Sequence, residues 1–359
     1  MKTVDHKCPN CNASIKYNPK DKNWVCEYCG GKFSLKELEE NEANFQKTNV
    51  NNSKELNKNT KGKSSNEEQE MDEYYCEDCG AKIIADKNTA ATFCVYCKNT
   101  AILKSRLTDE FSPSKIIPFA KTKEDAIEAF KSLKKGRFLM PKEFTDPKNI
   151  NELTGVYIPF WLYSCQIKGF IKGKGTRVIS WTDSNYIYTK TDTYNVEREG
   201  LYDFEYIPVD GSVRFNDAVM NSIEPFKYDE LTDFSYSYLS GFLAEKYDVS
   251  QDEAKKITIS RAEESTNQNL LSKARSGGYT TFTPSLKKFD VESETIDYVL
   301  LPVWMLNIKY KEKIYPFAMN GQTGKMIGDI PYSKTKAIIF ALIIFIIVFA
   351  LIALITYFA

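Results

Sequence analysis

Nine cysteines stand in this chain of 359 residues, and eight fall before position 98 as four Cys-x-x-Cys pairs: Cys8 with Cys11, Cys26 with Cys29, Cys76 with Cys79 and Cys94 with Cys97. Fourteen residues separate the first pair from the second and the third from the fourth, and each cysteine lies 68 positions from its counterpart. Ile15 with Ile83 and Tyr28 with Tyr96 keep the same register, so the module is duplicated. Two such pairs supply four thiolates that can close tetrahedrally around one Zn2+, and the short x-x spacing bends the backbone into a knuckle. The residues that follow the pairs support this: Asn12, Gly30 and Gly80 accept positive φ, with Lys98 the exception. A zinc ligated only by cysteine has no open position for water or substrate, so two structural ions are expected and no catalytic one. Each module has about 30 residues and is too small to fold on its apolar content, so metal would supply much of its folding free energy. A redox role would call for one pair beside a βαβ pattern, not matched duplicates. Cys165, alone in a later strand, is expected to be a small buried apolar residue.

Other chemistry is scarce. His6 is the only histidine, which excludes a Ser-His-Asp triad, a Cys-His pair or a three-histidine zinc site; it could compete as a ligand beside Cys8 but reads as part of a solvated tail. No carboxylate pair stands out, Asp210-Gly211 reads as a turn, and the chain is not expected to be an enzyme. The stretch Gly169 to Thr176 (GFIKGKGT) has the glycines of a phosphate loop but Gly175 where Ser or Thr must follow the lysine, and reads as a hairpin turn. Its Lys168, Lys172, Lys174 and Arg177 could reach anionic headgroups if that turn lay against a bilayer.

Forty-eight basic residues balance 48 acidic ones. Residues 1 to 36 hold seven Lys and three acidic side chains, residues 72 to 104 four Lys and five acidic ones, and each zinc-thiolate centre adds about −2, so the second module should repel phosphate. Nucleic acid is therefore disfavoured as a partner.

These modules need elements to carry them. Residues 1–36 and 74–104 are the two ribbons, and residues 37–73, rich in Asn, Glu and Lys, form a flexible linker that leaves the ribbons on a leash. Residues 105–332 have the composition of a folded domain. Helices are expected at Thr122 to Lys135, at about Asp233 to Tyr247, and from a capping box at Ser250 and Glu253 to about Arg275. The rest reads as strands: Val156–Ile171, Thr176–Trp181, Tyr186–Val196, Asp203–Val209, Tyr298–Tyr310, Lys313–Met319 and Lys325–Asp329. Hairpin spacing favours antiparallel pairing, hence a mainly antiparallel α+β domain. Tyr157-Ile-Pro159-Phe-Trp161 and Leu300-Leu-Pro302-Val-Trp304 repeat 143 positions apart; since proline donates nothing to a ladder, each suggests an edge strand or bulge, its tryptophan either core or lining a groove.

Residues 337–359 form one uncharged apolar run long enough to cross a bilayer. Lys325, Lys334 and Lys336 precede it and Met1 to Asn10 are polar, so a single-pass anchor in the cell membrane is expected, with everything before Ala337 in the cytoplasm.

The assembled order CPNC…CEYC, CEDC…CVYC, KIIPFAKTKEDA, GVYIPFWLY, IPVDGS, LPVWML, YPFAMNGQTGKMIGDIP and a terminal apolar helix resembles the bacterial membrane-anchored proteins with transcription-factor-IIB-type double zinc ribbons, the YdjG-like family. The resemblance covers essentially the whole chain. It implies a tail-anchored accessory protein whose partners are envelope-stress scaffolds of the SPFH or phage-shock type, with Cys8, Cys11, Cys26, Cys29, Cys76, Cys79, Cys94 and Cys97 as zinc ligands. The expected function is a non-enzymatic tail-anchored membrane adaptor whose cytoplasmic zinc ribbons and α+β domain bind or recruit partner proteins. The alternative is a membrane-tethered nucleic-acid-binding, transcription or replication factor; no Walker loop supports the helicase label that some members of the family carry.

Overall fold

The computed structural model describes residues 7–41, 71–75, 82–86, 89–93, 100–102, 112–135, 137–213, 217–311 and 313–358. The first ribbon is a three-stranded antiparallel sheet of β1 (Ile15–Asn18), β2 (Asn23–Cys26) and β3 (Lys32–Phe33), followed by α1 (residues 35–41). Ser34 caps α1 in a reciprocal pair: its backbone N–H donates to Glu37 Oε2 (2.7 Å) and the Glu37 N–H donates to Ser34 Oγ (3.4 Å).

Next come β4 (Met71–Tyr75), β5 (Lys82–Asp86), β6 (Thr89–Phe93) and β7 (Thr100–Ile102). Their pairing repeats the first ribbon. Lys7 bridges Ser14 as Tyr75 pairs Lys82, and Trp24 pairs Phe33 as Thr92 pairs Ala101, each shifted by 68. One neighbour differs: β2 lies beside β1, whereas β6 lies beside a strand of the main body.

That body is built from β8 (Lys115–Ile116), α2 (Lys123–Lys134), α3 (Pro147–Asn151), β9 (Thr154–Thr182), β10 (Ile187–Asp210), α4 (Asp217–Ile223), β11 (Thr232–Asp233), β12 (Leu243–Glu245), α5 (Gln251–Arg275), β13 (Thr281–Tyr310), β14 (Lys313–Asn320), β15 (Met326–Gly328) and α6 (Lys334–Phe358). The sheet runs β11-β8-β13-β9-β12-β6-β7, with β10 added to β9 and β14 then β15 to β13. Among the described residues only β12 with β9 and β13 with β8 pair in parallel, so the domain is α+β and mainly antiparallel.

The 143-residue repeat extends to a duplicated half. Between Val156–Tyr157 and Phe160, β9 exchanges the parallel neighbour β12 for the antiparallel neighbour β10; between Val299–Leu300 and Val303, β13 exchanges β8 for β14. Pro159 and Pro302 sit at the two exchanges. They mark not an edge strand but the place in a central strand where the outer partner changes and no ladder donor is needed. The rest of each half follows the same plan. Trp161 Nε1 donates to the Val249 carbonyl and Trp304 Nε1 to the Lys121 carbonyl, both at 2.9 Å. Gly211 N–H donates to the Pro159 carbonyl and Gly321 N–H to the Pro302 carbonyl, both at 2.8 Å. Asp210 and Asn320 each accept the N–H two residues on (3.0 Å), closing equivalent turns. Thr122 with Asp125 and Ser250 with Glu253 form reciprocal capping boxes for α2 and α5, as expected. Both tryptophans are core residues, 4% and 7% exposed.

The expected helix at Asp233 to Tyr247 is absent. That segment forms β11, a 3-10 turn at Tyr236–Leu239 and β12, because strands distant in sequence pair with its two ends: β11 covers β8, and β12 lies between β9 and β6. The seven expected strands fuse into fewer and longer ones. β9 is continuous over 29 residues, roughly 90 Å at full extension, and passes straight through GFIKGKGT, which is strand rather than turn. With β10 on one side and residues 281–298 of β13 on the other it forms a three-stranded arm. α5 packs along the arm through Ala254, Thr258, Ala262, Thr266, Leu270 and Ala274, a mostly small stripe that lets helix and sheet approach closely. Gly169 is required by that approach, since a Cβ there would lie 2.5 Å from Thr266 Cγ2 and 2.8 Å from Leu270 Cδ1. Lys168 and Lys172 lie on the arm, paired with Glu199 (3.0 Å) and Glu197 (2.7 Å), and Arg177 Nε donates to the Gly278 carbonyl (3.1 Å).

α6 is long and apolar enough to cross a membrane, and its residues from Ile338 to Tyr357 are exposed. Ser333 N–H donates to the Leu139 carbonyl (2.7 Å), Lys336 Nζ to the Met140 carbonyl (2.6 Å), and Phe340 packs on Phe138 with ring centres 4.7 Å apart. β15 runs in the same direction as β13 and against β9. α6 therefore leaves the body at the end opposite the arm tip.

Candidate metal centre

Two knuckles of the same construction bring the first four cysteines together. Cys8 N–H donates to the Ala13 carbonyl (2.7 Å) and Asn12 N–H to the Cys8 carbonyl (2.8 Å); Cys26 N–H donates to the Gly31 carbonyl and Gly30 N–H to the Cys26 carbonyl, both at 2.9 Å. Each loop closes through a residue with positive φ, Asn12 at 61° and Gly30 at 73°, as the sequence requires. The Sγ atoms of Cys8, Cys11, Cys26 and Cys29 all lie within 4.8 Å of one another, with Cys8 to Cys29 and Cys11 to Cys26 at 3.5 Å. A tetrahedron of thiolates at about 2.3 Å from a central ion has edges of about 3.8 Å, so one metal ion fits. The cluster already favours thiolate at one position. Burial opposes ionisation of Cys26, but the backbone N–H groups of Cys29 and Tyr28 and the neighbouring thiols bring it down to about 7. Cys11 is pushed up to about 12: its hydrogen bond with the Ala13 backbone works downward, but burial and the other three thiols outweigh it.

Cys76, Cys79, Cys94 and Cys97 lie outside the described residues, as do Gly80, Lys98 and His6. The strands that bracket those cysteines, β4 with β5 and β6 with β7, hold the register of the first ribbon. Cys165 is buried beneath the arm, and burial raises its thiol pKa, in keeping with an apolar role.

The first ribbon does not hang free. Trp24 Nε1 donates to the Ser237 carbonyl (2.7 Å) and Tyr17 N–H to the Ser240 carbonyl (3.1 Å). Tyr17, Trp24 and Tyr238 form a ring cluster with centres 4.9 to 5.5 Å apart. Residues 42–70 of the expected linker lie outside the described residues, and the leash reading did not include this docking. Its signal was present: Tyr17 and Trp24 face each other across β1 and β2, more aromatic surface than a 30-residue module can cover alone. A cleft of about 500 Å³ remains between ribbon and body, lined by Lys16, Lys20 and Glu27 on one side and Thr122, Phe242 and Trp304 on the other.

A second polar feature joins the two halves. Burial raises the Glu224 carboxyl to about 7 against the opposing pull of Arg261 and Lys325. Lys325 Nζ donates to the Glu224 carbonyl, and Asn320 Nδ2 donates to the carbonyls of Ile223 (3.1 Å) and Pro225 (3.3 Å).

No family model and no solved structure matches this chain. It is 33% identical over 335 residues to the uncharacterized protein YdjG of Bacillus subtilis (strain 168), an alignment that spans 93% of this chain and 92% of that one. At that identity and extent the chain belongs to the same family as YdjG.

Proposed function

We propose that this protein is a non-enzymatic membrane adaptor. α6 anchors it in the cell membrane by a single pass, with Lys334 and Lys336 holding the body on the cytoplasmic side. Zinc occupies the four-cysteine set of the first ribbon, and by the 68-residue repeat a second zinc occupies Cys76, Cys79, Cys94 and Cys97; both ions are structural, because four thiolates leave no position for substrate. The ribbons, through their metal, brace the body, and the arm meets partner proteins. One observation carries this reading: the arm ends in exposed Trp181, Tyr186, Ile187 and Tyr188, at 51%, 66%, 76% and 42% exposure, on the end of the body away from α6. Exposed aromatics grouped on a rigid hairpin are the composition of an interface core. The family resemblance names SPFH and phage-shock-type membrane scaffolds as the partner class.

The test is affinity capture from crosslinked cells, with the intact chain compared against Trp181→Ser/Ile187→Ser and against Cys26→Ser. Membrane-scaffold proteins are expected with the intact chain and not with the arm variant. Recovery of abundant salt-sensitive DNA or RNA without any membrane scaffold would overturn the adaptor reading in favour of a tethered nucleic-acid-binding protein. Elemental analysis is expected to give two zinc atoms per intact chain and one per Cys26→Ser chain.

A further inference from the structure

The end of the body from which α6 departs differs in composition from the rest of the molecule. Three segments meet there, described except for Gly136 and Glu312: residues 135–148, residues 309–315 at the turn between β13 and β14, and residues 329–336. Phe144 joins the first two, with its ring centre 6.0 Å from Tyr310 and 5.6 Å from Tyr315. The bonds from Ser333 to Leu139 and from Lys336 to Met140 join the first and third. These segments hold nine Lys or Arg against four Asp or Glu, in a chain whose totals balance. Among the charges stand Phe138, Ile314 and Tyr332, at 61%, 63% and 65% exposure. Large apolar and aromatic side chains set in a field of lysine are the composition of a membrane–water interface, where rings sit at headgroup depth and long basic side chains extend past them.

We propose that this pole is a bilayer-contact surface: Phe138, Ile314 and Tyr332 rest at headgroup level, while Lys309, Lys311 and Lys313 bind anionic phospholipid headgroups. The proposal rests on the reading of α6 as a membrane span, and α6 is what brings the surface there. No free linker separates helix from body, because the helix entry is bonded to Leu139 and Met140 and the Phe340 ring packs on Phe138. A span that begins near Ala337 therefore places Phe138 within about a turn of the apolar boundary. The lysines of the β13–β14 turn are exposed, and each lysine close to an anionic leaflet favours association by about a factor of five. Contact at this pole fixes how the body stands on the membrane, with the arm directed away from it.

The test uses the full-length chain reconstituted in vesicles. p-Benzoylphenylalanine replaces, one at a time, Phe138, Ile314, Leu201 on the arm, or Phe345 inside the span, and lipid adducts are counted by mass spectrometry after irradiation. In phosphatidylglycerol-rich vesicles adducts are expected at Phe345, Phe138 and Ile314 and not at Leu201. Lys309→Gln/Lys311→Gln/Lys313→Gln should lower the yield at Ile314 at least about fivefold while leaving Phe345 unchanged. Adducts at Phe345 with none at Phe138 or Ile314 would overturn the proposal and leave the span standing. Adducts at none of the four positions would overturn both. Equal yields at Ile314 in phosphatidylcholine and phosphatidylglycerol vesicles would overturn the recognition of anionic headgroups.

Discussion

After Pro159 the first half of the body sends out a hairpin whose strands run on to Thr182 and back from Ile187; after Pro302 the second half turns round at Lys311, nine residues on. The helices differ in the opposite sense: α2 has 12 residues and α5 has 25. Yet the proline at the partner exchange, the tryptophan two residues later, its carbonyl acceptor, the Asx-Gly turn and the helix cap recur in both halves. The recurring set is what the sheet needs to fold, since each member meets a backbone demand at the exchange. What differs is built for something else. The long hairpin of the first half is backed by the long helix and the extended N-terminal part of β13 of the second, so the arm belongs to neither half alone.

If the two halves share one skeleton, Trp161→Ala and Trp304→Ala should cost about the same, roughly 3–5 kcal/mol each, by denaturant unfolding of the detergent-solubilised chain. A neutral result at either would break the equivalence. Gly169→Ala has no counterpart in the second half, whose hairpin ends before the matching position. It should cost about 1–3 kcal/mol through the clash with Thr266 and Leu270, seen as faster amide exchange confined to the arm and α5.

At the joint between the halves, the Glu224 pKa is raised in the folded protein to about 7, from about 4.3 in the unfolded chain. The folded state then binds more protons, so the contribution is full below about pH 4 and is lost as pH rises through 7. Stability should fall by about 1–2 kcal/mol between pH 5 and 8, after allowance for partial solvent screening, and Glu224→Gln should remove most of that slope. The smallest effect is expected at the caps: Thr122→Ala and Ser250→Ala should each cost about 1 kcal/mol, measured as equal shifts in unfolding midpoint.

Local signals were read well from the sequence. The cysteine spacing gave the knuckles, and Thr122 and Ser250 gave both helix starts, because a metal tetrahedron and a capping box are each closed within a few residues. Errors arose where the deciding partner is distant. Residues 233–247 have the apolar spacing of a helix, but β6 and β9 draw Leu243–Glu245 into the sheet. Gly169, Gly173 and Gly175 look like a turn because their covering partners are distant in sequence: α5 over Gly169, Phe282 to Pro284 of β13 against Gly173, and Tyr279 over Gly175. The prolines suggested an edge because one strand seen alone cannot show that its neighbour changes.

Because β9 is shared by the body and the arm without a break, the arm is a gauge of fixed length whose divisions are residues. Taking two residues from β9 together with two each from β10 and the facing stretch of β13 would shorten it by about 7 Å with every side chain still on its own face. Taking one from each would invert the faces, present the buried row to water and strip the contacts with α5. An odd step is tolerated only where a bulge absorbs it, as at residues 205–206 of β10 and at Ser285 and Glu292 of β13, where one strand carries an extra residue.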